Sequence, residues 1–239
     1  MNKTIDIVLP CYNPEEKEWH TDIKRNMVAL EKLFPNLTFF VTLVNDGSAR
    51  GISESQIDYL KSQISGFQYV TYAGNQGKGY ALREGVKLAT HDFVVYTDVD
   101  FPFELVCMQA MIDKLLAGKD IVLGERQFSY SNHLKRYRKV LSSGSHVFNS
   151  LLLNLPFTDT QGGLKGFNQK GRAVFLKTII NRYLFDTEFI LRACKQNDLV
   201  ISTVPLTLRE GVILSQMGLK VIKKEFGNIM RLLKIRFFE

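Results

Sequence analysis

Along the first hundred residues, apolar and β-branched runs (TIDIVLP, TFFVTLV, FQYVTYA and FVVYTD) alternate with three segments of helical spacing. Those segments lie near residues 18–34, 53–64 and 79–89. Strand and helix in regular succession predict βαβ units, and hence an α/β fold with a mainly parallel sheet and helices on both faces. In such sheets ligands gather at the carboxyl ends of the strands. Each run ends in a polar, turn-rich stretch. Strand one ends in Pro10-Cys11-Tyr12-Asn13-Pro14, strand two in Asn45-Asp46-Gly47-Ser48, strand three in Gly74-Asn75-Gln76-Gly77-Lys78-Gly79, and strand four in Asp98-Val99-Asp100. The pattern loses regularity after about Arg126 and becomes helical again over the last twenty residues.

Two like charges one residue apart at a strand end need an explanation. In an extended chain, positions i and i+2 point to one side, so Asp98 and Asp100 converge. Two carboxylates sharing a site are unfavourable unless a cation or a proton lies between them. A hard divalent ion, Mg2+ or Mn2+, answers this, completed by water and substrate phosphates. The GNQGKG stretch offers backbone amides and Lys78 at a helix start, a cradle for phosphate. It is neither a P-loop nor a dinucleotide fingerprint. Asp46 in VNDGS reads equally as a turn former and as an acceptor from a nucleobase or ribose.

Length and composition narrow the field. A chain of 239 residues with 45% hydrophobic and 23% charged residues fits one globular domain. No run of about eighteen apolar residues suggests a membrane span, and the N-terminus lacks a secretory-signal pattern, so a cytoplasmic protein is expected. Cys11, Cys107 and Cys194 lack metal-ligand spacing, and reduced thiols are expected. The net charge of +7 is local: residues 131–150 and 219–239 each carry +4, leaving the remainder at −1. Two basic patches point to an anionic partner more than to nucleic acid, whose binding motifs are missing.

In order, LPCYNPEE, VNDGS, NQGKGYA, YTDVD, DTQGGLKGF and FDTEF make the chain resemble the family 2 glycosyltransferases, inverting enzymes of the GT-A fold that use nucleotide sugars. Within the family it looks most similar to the dolichyl-phosphate and polyprenyl-phosphate sugar synthase branch. The resemblance implies that Tyr12, Asn13 and Asp46 surround the nucleotide, that Asp98 and Asp100 hold the metal on its diphosphate, and that Asp159 and Gln161 lie beside the reacting centre. It places Arg126, Arg138 and Ser142 on an acceptor phosphate; the last two are four residues apart and share one face if helical. Donor contacts are thus expected from Pro10, Tyr12, Asn13, Asp46, Asn75, Lys78, Gly79, Asp98 and Val99. Acceptor contacts are expected from Arg126, Arg138, Ser142, Gln161, Asp186 and Glu188, the last two also readable as helix caps. Pro14, Asn45 and Pro102 depart from the family's usual residues, leaving Glu15 or Glu16 in place of the acid that Pro14 displaces.

The expected organisation is a catalytic domain over residues 1–210, with a nucleotide-sugar half to about 125 and an acceptor half from 126, followed by a basic amphipathic helix over 211–239. On a helical wheel Ile222, Phe226, Ile229, Leu233 and Phe237 fall within roughly 80°, opposite Lys220, Lys223, Lys224, Arg231 and Lys234. Such a helix suits an anionic membrane surface, placing the protein peripherally on the inner face of the membrane, or else packs on the domain's own core or on a partner. The expected reaction is metal-assisted sugar transfer to a polyprenyl phosphate, with Lys78 or Arg126 assisting the leaving diphosphate. A hydroxyl acceptor in cell-surface glycan synthesis would instead require a base, for which Asp159 is the candidate. A catalytically silent nucleotide-sugar-binding protein is a third reading, and a homo-oligomer stays open.

Overall fold

The computed structural model describes residues 2–14, 18–126, 153–157, 159–210, 212 and 219–238. Strand β1 (Lys3–Cys11) leads to α1 (Trp19–Leu33), β2 (Leu37–Asn45), α2 (Glu54–Gln63), β3 (Phe67–Thr71), α3 (Lys78–Leu88) and β4 (Phe93–Tyr96). Helix α4 (Leu105–Leu116) and β5 (Ile121–Arg126) follow. After them come β6 (Lys165–Asn168), α5 (Gln169–Phe175), α6 (Phe185–Cys194), β7 (Ile201–Leu206) and α7 (Leu219–Phe238).

The strands form one sheet in the order β3-β2-β1-β4-β6-β5-β7. All pairings are parallel except those of β6, which runs antiparallel to both β4 and β5. The central strands β1, β2 and β4 are mostly apolar on both faces, as helix-covered strands must be. Ile5, Ile7 and Leu9 of β1 pack with α1, α2 and α4, whereas Val8 packs on the other face with α3, α5 and α6. Helix α1 shows why the amphipathic pattern works: Trp19, Ile23, Met27 and Leu30, at spacings of three and four, are its buried residues. Helix α2 starts at a capping box between Ser53 and Gln56, each side chain bonded to the other's backbone N–H.

The chain order reverses direction across the sheet between β1, flanked by β2, and β4. The carboxyl ends of β1, β2 and β4 therefore open onto one crevice, where such sheets bind ligands.

Candidate active site

Strand β4 stops at Tyr96, two residues before the first acid. Asp98 begins a tight turn instead, its carbonyl accepting from the Phe101 N–H at 3.0 Å, with Phe101 at φ +45°. The extended geometry expected for the two aspartates is therefore replaced by a turn, since the pairing of β4 with β6 ends at Tyr96–Lys165. The segment after β7 braces this turn. The Arg209 guanidinium donates to the Asp100 carbonyl, the Arg209 N–H donates to the Pro102 carbonyl at 3.0 Å, and Phe103 bridges to Leu208. The buried Nε of Arg209 finds no hydrogen-bond partner among the described residues. Across the turn, a Cβ on Gly163 would lie 2.8 Å from Asp98 Oδ2, so a larger residue there would displace the carboxylate.

Lys78, the first residue of α3, pairs through Nζ with Asp98 Oδ1. Burial pulls its ammonium down, yet the carboxylates of Asp98, Asp186 and Asp100 outweigh that and hold its pKa above the ordinary lysine value. The amides expected to cradle phosphate are engaged within the chain. Those of Gln76 and Gly77 donate to Asp46 at 2.7 and 2.9 Å, and those of Gly79 and Tyr80 donate to the Asn181 carbonyl at 2.8 and 3.3 Å. Gly77, at φ +108°, makes this docking fit, since a Cβ there would meet the Asn181 carbonyl at 2.5 Å. Arg83 secures the other side of the same loop through the Ile180 carbonyl at 2.8 Å.

Asp46 is almost fully buried, and four groups donate to its carboxylate: the two amides, the Tyr72 hydroxyl at 2.9 Å and Asn75 Nδ2 at 2.7 Å. Burial and this contact push the Tyr72 phenol well up. Asp46 thus fixes a loop thirty residues away, while the local turn after β2 is closed by Asn45, whose Oδ1 accepts from the Ser48 N–H at 2.8 Å. Asn13, at φ +45°, accepts from the Ala49 and Arg50 amides, and its own N–H donates to Ser48 Oγ at 2.8 Å. It thereby ties the ends of β1 and β2 together, with Tyr12 half exposed beside it and Pro10 inside the sheet. Burial, followed by the Asp100 charge, pushes the Cys11 thiol up to about 12, which keeps it protonated at neutral pH. Val99 packs against the core under the turn.

On the other side of β4, Arg126 at the end of β5 grips Asp159 with two parallel bonds of 2.7 Å, and its N–H adds a third at 3.0 Å. The Gln161 N–H donates to the same carboxylate at 3.0 Å. Burial alone would raise the Asp159 pKa, but the Arg126 contacts and the Gln161 amide hold it below the ordinary carboxylate value. Because the folded pKa is depressed, this stabilisation is present above the unfolded carboxylate pKa and is lost as pH falls through the folded one. The stability difference between wild type and Asp159→Asn, measured by urea unfolding, is therefore expected to shrink as pH drops below about 4. A difference that stays constant there would argue against an ionised Asp159. Arg138 and Ser142, like Glu15 and Glu16, lie outside the described residues.

Asp186 and Glu188, in the first turn of α6, both point inward. Asp186 accepts from Tyr96 Oη and pairs with Lys165 Nζ at 2.8 Å, and Lys165 also donates to the Gly162 carbonyl at 2.6 Å. Glu188 holds the 179–180 turn through the Ile179 and Ile180 amides at 2.9 and 2.7 Å and pairs with Arg192 at 2.8 Å. The sequence reading missed Lys165, Tyr96 and Arg209. Lys165 had a usable signal: at alternation two it shares a face with buried Phe167, an unusual place for a lysine.

The donor set suits a hard divalent cation: two carboxylates leave one turn, and a cationic group, the Lys78 ammonium, already lies against one of them. Asp98 and Asp100 are the residues that would hold it.

A sequence profile of the Glycosyl transferase family 2 matches residues 6–184, well over half of the chain. The chain belongs to the glycosyl transferase family 2. Human dolichyl-phosphate beta-glucosyltransferase is 26% identical over 203 residues, 79% of this chain and 62% of that protein. Poly-beta-1,6-N-acetyl-D-glucosamine synthase of Staphylococcus epidermidis is 33% identical over 96 residues, 40% of this chain and 21% of that protein. The chain thus spans less than two thirds of the length of either relative. Among solved structures, glucosyl-3-phosphoglycerate synthase from Mycobacterium tuberculosis, in complex with Mn2+, UDP and phosphoglyceric acid, aligns with a TM-score of 0.62 at 16% identity. The alignment covers 98% of this chain and 78% of that one. The glycosyl transferase family 2 chain thus has the expected GT-A fold, with β6 as its antiparallel element.

Helix α7 differs from its sequence expectation in the face it buries. Leu232 and Ile235 dock it on the α6 side of the core, and buried Glu225 accepts from Asn228. Phe226, Met230 and Phe237 are turned to solvent, at 65%, 54% and 64% exposure, with exposed Arg231 and Lys234 on the same helix. The body therefore takes a face roughly 100° round from the predicted apolar stripe, and much of that stripe is left uncovered by the described residues. Among the described residues, no helix is long and apolar enough to cross a membrane.

Proposed function

We propose that this chain transfers a sugar from a nucleoside diphosphate donor to a polyprenyl phosphate, with inversion at the anomeric carbon. The observation that carries the choice of acceptor is the Arg126–Asp159 pair. A hydroxyl acceptor needs a base, and the best-placed carboxylate is held ionised by a bidentate guanidinium and two amides, which makes it a poor proton acceptor. A phosphate is already ionised at neutral pH and requires no such base. One of its oxygens attacks C1 of the donor sugar, the bond from C1 to the diphosphate oxygen breaks, and the nucleoside diphosphate leaves with the electron pair. The likeness to a dolichyl-phosphate glucosyltransferase along 79% of the chain supports the same acceptor class.

The division of labour follows from the strand ends. Asp98 and Asp100 hold Mg2+ or Mn2+, which, when bound, neutralises charge on the leaving diphosphate. Lys78 adds a fixed positive group on the same side. Asp46 and Asn13 act on the donor by fixing the loops that receive the nucleotide, while Tyr12 and Asn75 line its entrance. Arg126, with Arg138 and Ser142, binds the acceptor phosphate, and Gln161 orients it. Asp186 and Glu188 support this side from beneath.

The test is a panel of UDP- and GDP-sugars with Mg2+ or Mn2+, with and without a polyprenyl phosphate, following nucleotide release and the acid lability of the product. Release that depends on the lipid phosphate and yields an acid-labile glycosyl phosphate is expected. Transfer to a glycan hydroxyl giving an acid-stable product would overturn the acceptor assignment in favour of polysaccharide extension, a reading supported by the likeness to the poly-N-acetylglucosamine synthase.

On this reading α7 makes the membrane contact, and the protein works at the cytoplasmic face. Its Phe226, Met230 and Phe237 ridge suits insertion among acyl chains, and Arg231 and Lys234 suit anionic headgroups. Changing the three ridge residues to serine is expected to lower binding to phosphatidylserine vesicles by about a thousandfold, since each buried apolar side chain is worth about 1.5 kcal/mol or more. Unchanged sedimentation with the vesicles would assign this ridge to a protein partner or a second copy.

A further inference from the structure

Lys78 is built as an arm on a fixed base. Its neighbours on both sides are pinned by their backbones, Gly77 to the Asp46 carboxylate and Gly79 to the Asn181 carbonyl, so the side chain is what can move. The ammonium meets a cluster of acids. Asp98 contacts it directly and Asp100 follows in the same turn, whereas Asp186 behind them is already engaged by Lys165 and Tyr96. The Lys78 and Asp98 side chains remain 33% and 38% exposed, open to the crevice at the strand ends. An ion pair with about a third of each side chain exposed is partly screened by water and contributes only modestly to stability. It can therefore be exchanged at low cost for a stronger cation.

We infer that Lys78 is a resident counter-ion that competes with the divalent cation for Asp98 and, once displaced, swings to the donor's diphosphate. The inference rests on the metal reading of Asp98 and Asp100. It couples the order of binding to charge: the acid pair is never left without a positive partner, and the lysine becomes available to the leaving group only after the cation has replaced it.

Mn2+ binding, read from the electron paramagnetic resonance signal of the free ion, tests this without any turnover. Lys78→Met is expected to bind Mn2+ about three- to tenfold more tightly than wild type in the absence of nucleotide, the range set by the modest worth of a partly exposed pair. Lys78→Arg, which keeps the charge, is expected to stay close to wild type. Adding UDP or GDP, whichever binds, should tighten Mn2+ binding in wild type more than in Lys78→Met, because only wild type turns the lysine to the diphosphate. Equal or weaker binding by Lys78→Met without nucleotide would overturn the inference while leaving the metal reading intact. Wild-type binding that Asp100→Ala does not weaken would instead remove the metal reading, and the inference with it.

A measurement on the wild-type protein covers the case in which Lys78→Met does not fold. Acylation of Lys78 by acetic anhydride, followed by mass spectrometry, is expected to rise severalfold on adding Mg2+ and to fall again on adding the nucleotide. Labelling that ignores Mg2+ would count decisively against displacement.

Discussion

Asp100→Ala is expected to cut metal-dependent turnover about a thousandfold while shifting the melting temperature by no more than about 2 °C. The first number is what removal of a group that stabilises developing charge typically costs. The second follows from position. Asp100 lies in a partly exposed turn that is braced through backbone groups, the Asp100 carbonyl to Arg209 and the Pro102 carbonyl to the Arg209 N–H, and the substitution removes neither. Asp98→Ala should be as damaging to turnover, with the difference that it also strips Lys78 of its direct partner. Assays across Mg2+ and Mn2+ concentrations, with thermal unfolding on the same samples, check both numbers. Wild-type activity retained by Asp100→Ala, or by the native enzyme in excess chelator, would end the metal assignment.

Lys165→Met should be the most destabilising conservative change in the described part of the molecule. The ammonium is fully buried, pairs with Asp186 at 2.8 Å and donates to the Gly162 carbonyl at 2.6 Å. Burial pulls its pKa below the ordinary lysine value, offset in part by Asp186 and by the Asp159 charge. Removing one member strands a buried carboxylate and costs about 3–5 kcal/mol. For a chain of this size that corresponds to a loss of roughly 10 °C in melting temperature. Lys165→Met combined with Asp186→Leu should recover part of the loss, because a well-packed apolar pair can replace a buried ion pair, although the buried Tyr96 hydroxyl then lacks its acceptor. Turnover should fall as well, since Lys165 holds the Gly162–Gly163 backbone that abuts Asp98. Urea unfolding of the two single variants and the double variant gives the coupling, and a single-variant cost under about 1 kcal/mol would show the pair to be dispensable.

Much of the scaffold was readable because it depends on local period. The helical spacings near 18–34, 53–64 and 79–89 became Trp19–Leu33, Glu54–Gln63 and Lys78–Leu88, since an amphipathic segment needs only a sheet to lie on and every βαβ unit supplies one. The short strand β6 was illegible: four residues, with only Lys165 and Phe167 sharing a face, are too few to mark a strand, and its antiparallel direction comes from pairing between β4 and β5. The helical nature of α7 followed from its pattern as well. The face that it buries did not, because the body offered a site for Leu232 and Ile235 instead of the stripe with the greater apolar content.

The candidate site divides along the same line. Its residue types at the strand ends, Asp46, Lys78, Asp98 and Asp100, were set by the sequence, since strand termini follow from where apolar runs stop. Which charged group meets which was decided only by the tertiary structure. Asp46 holds its own chain's loop, Arg126 grips Asp159, Lys78 lies on Asp98, and Lys165 reaches Asp186. Hydrophobic periodicity is a nearest-neighbour property of the chain, whereas ion pairs join residues twenty to thirty-three positions apart through a geometry that exists only once the sheet has assembled.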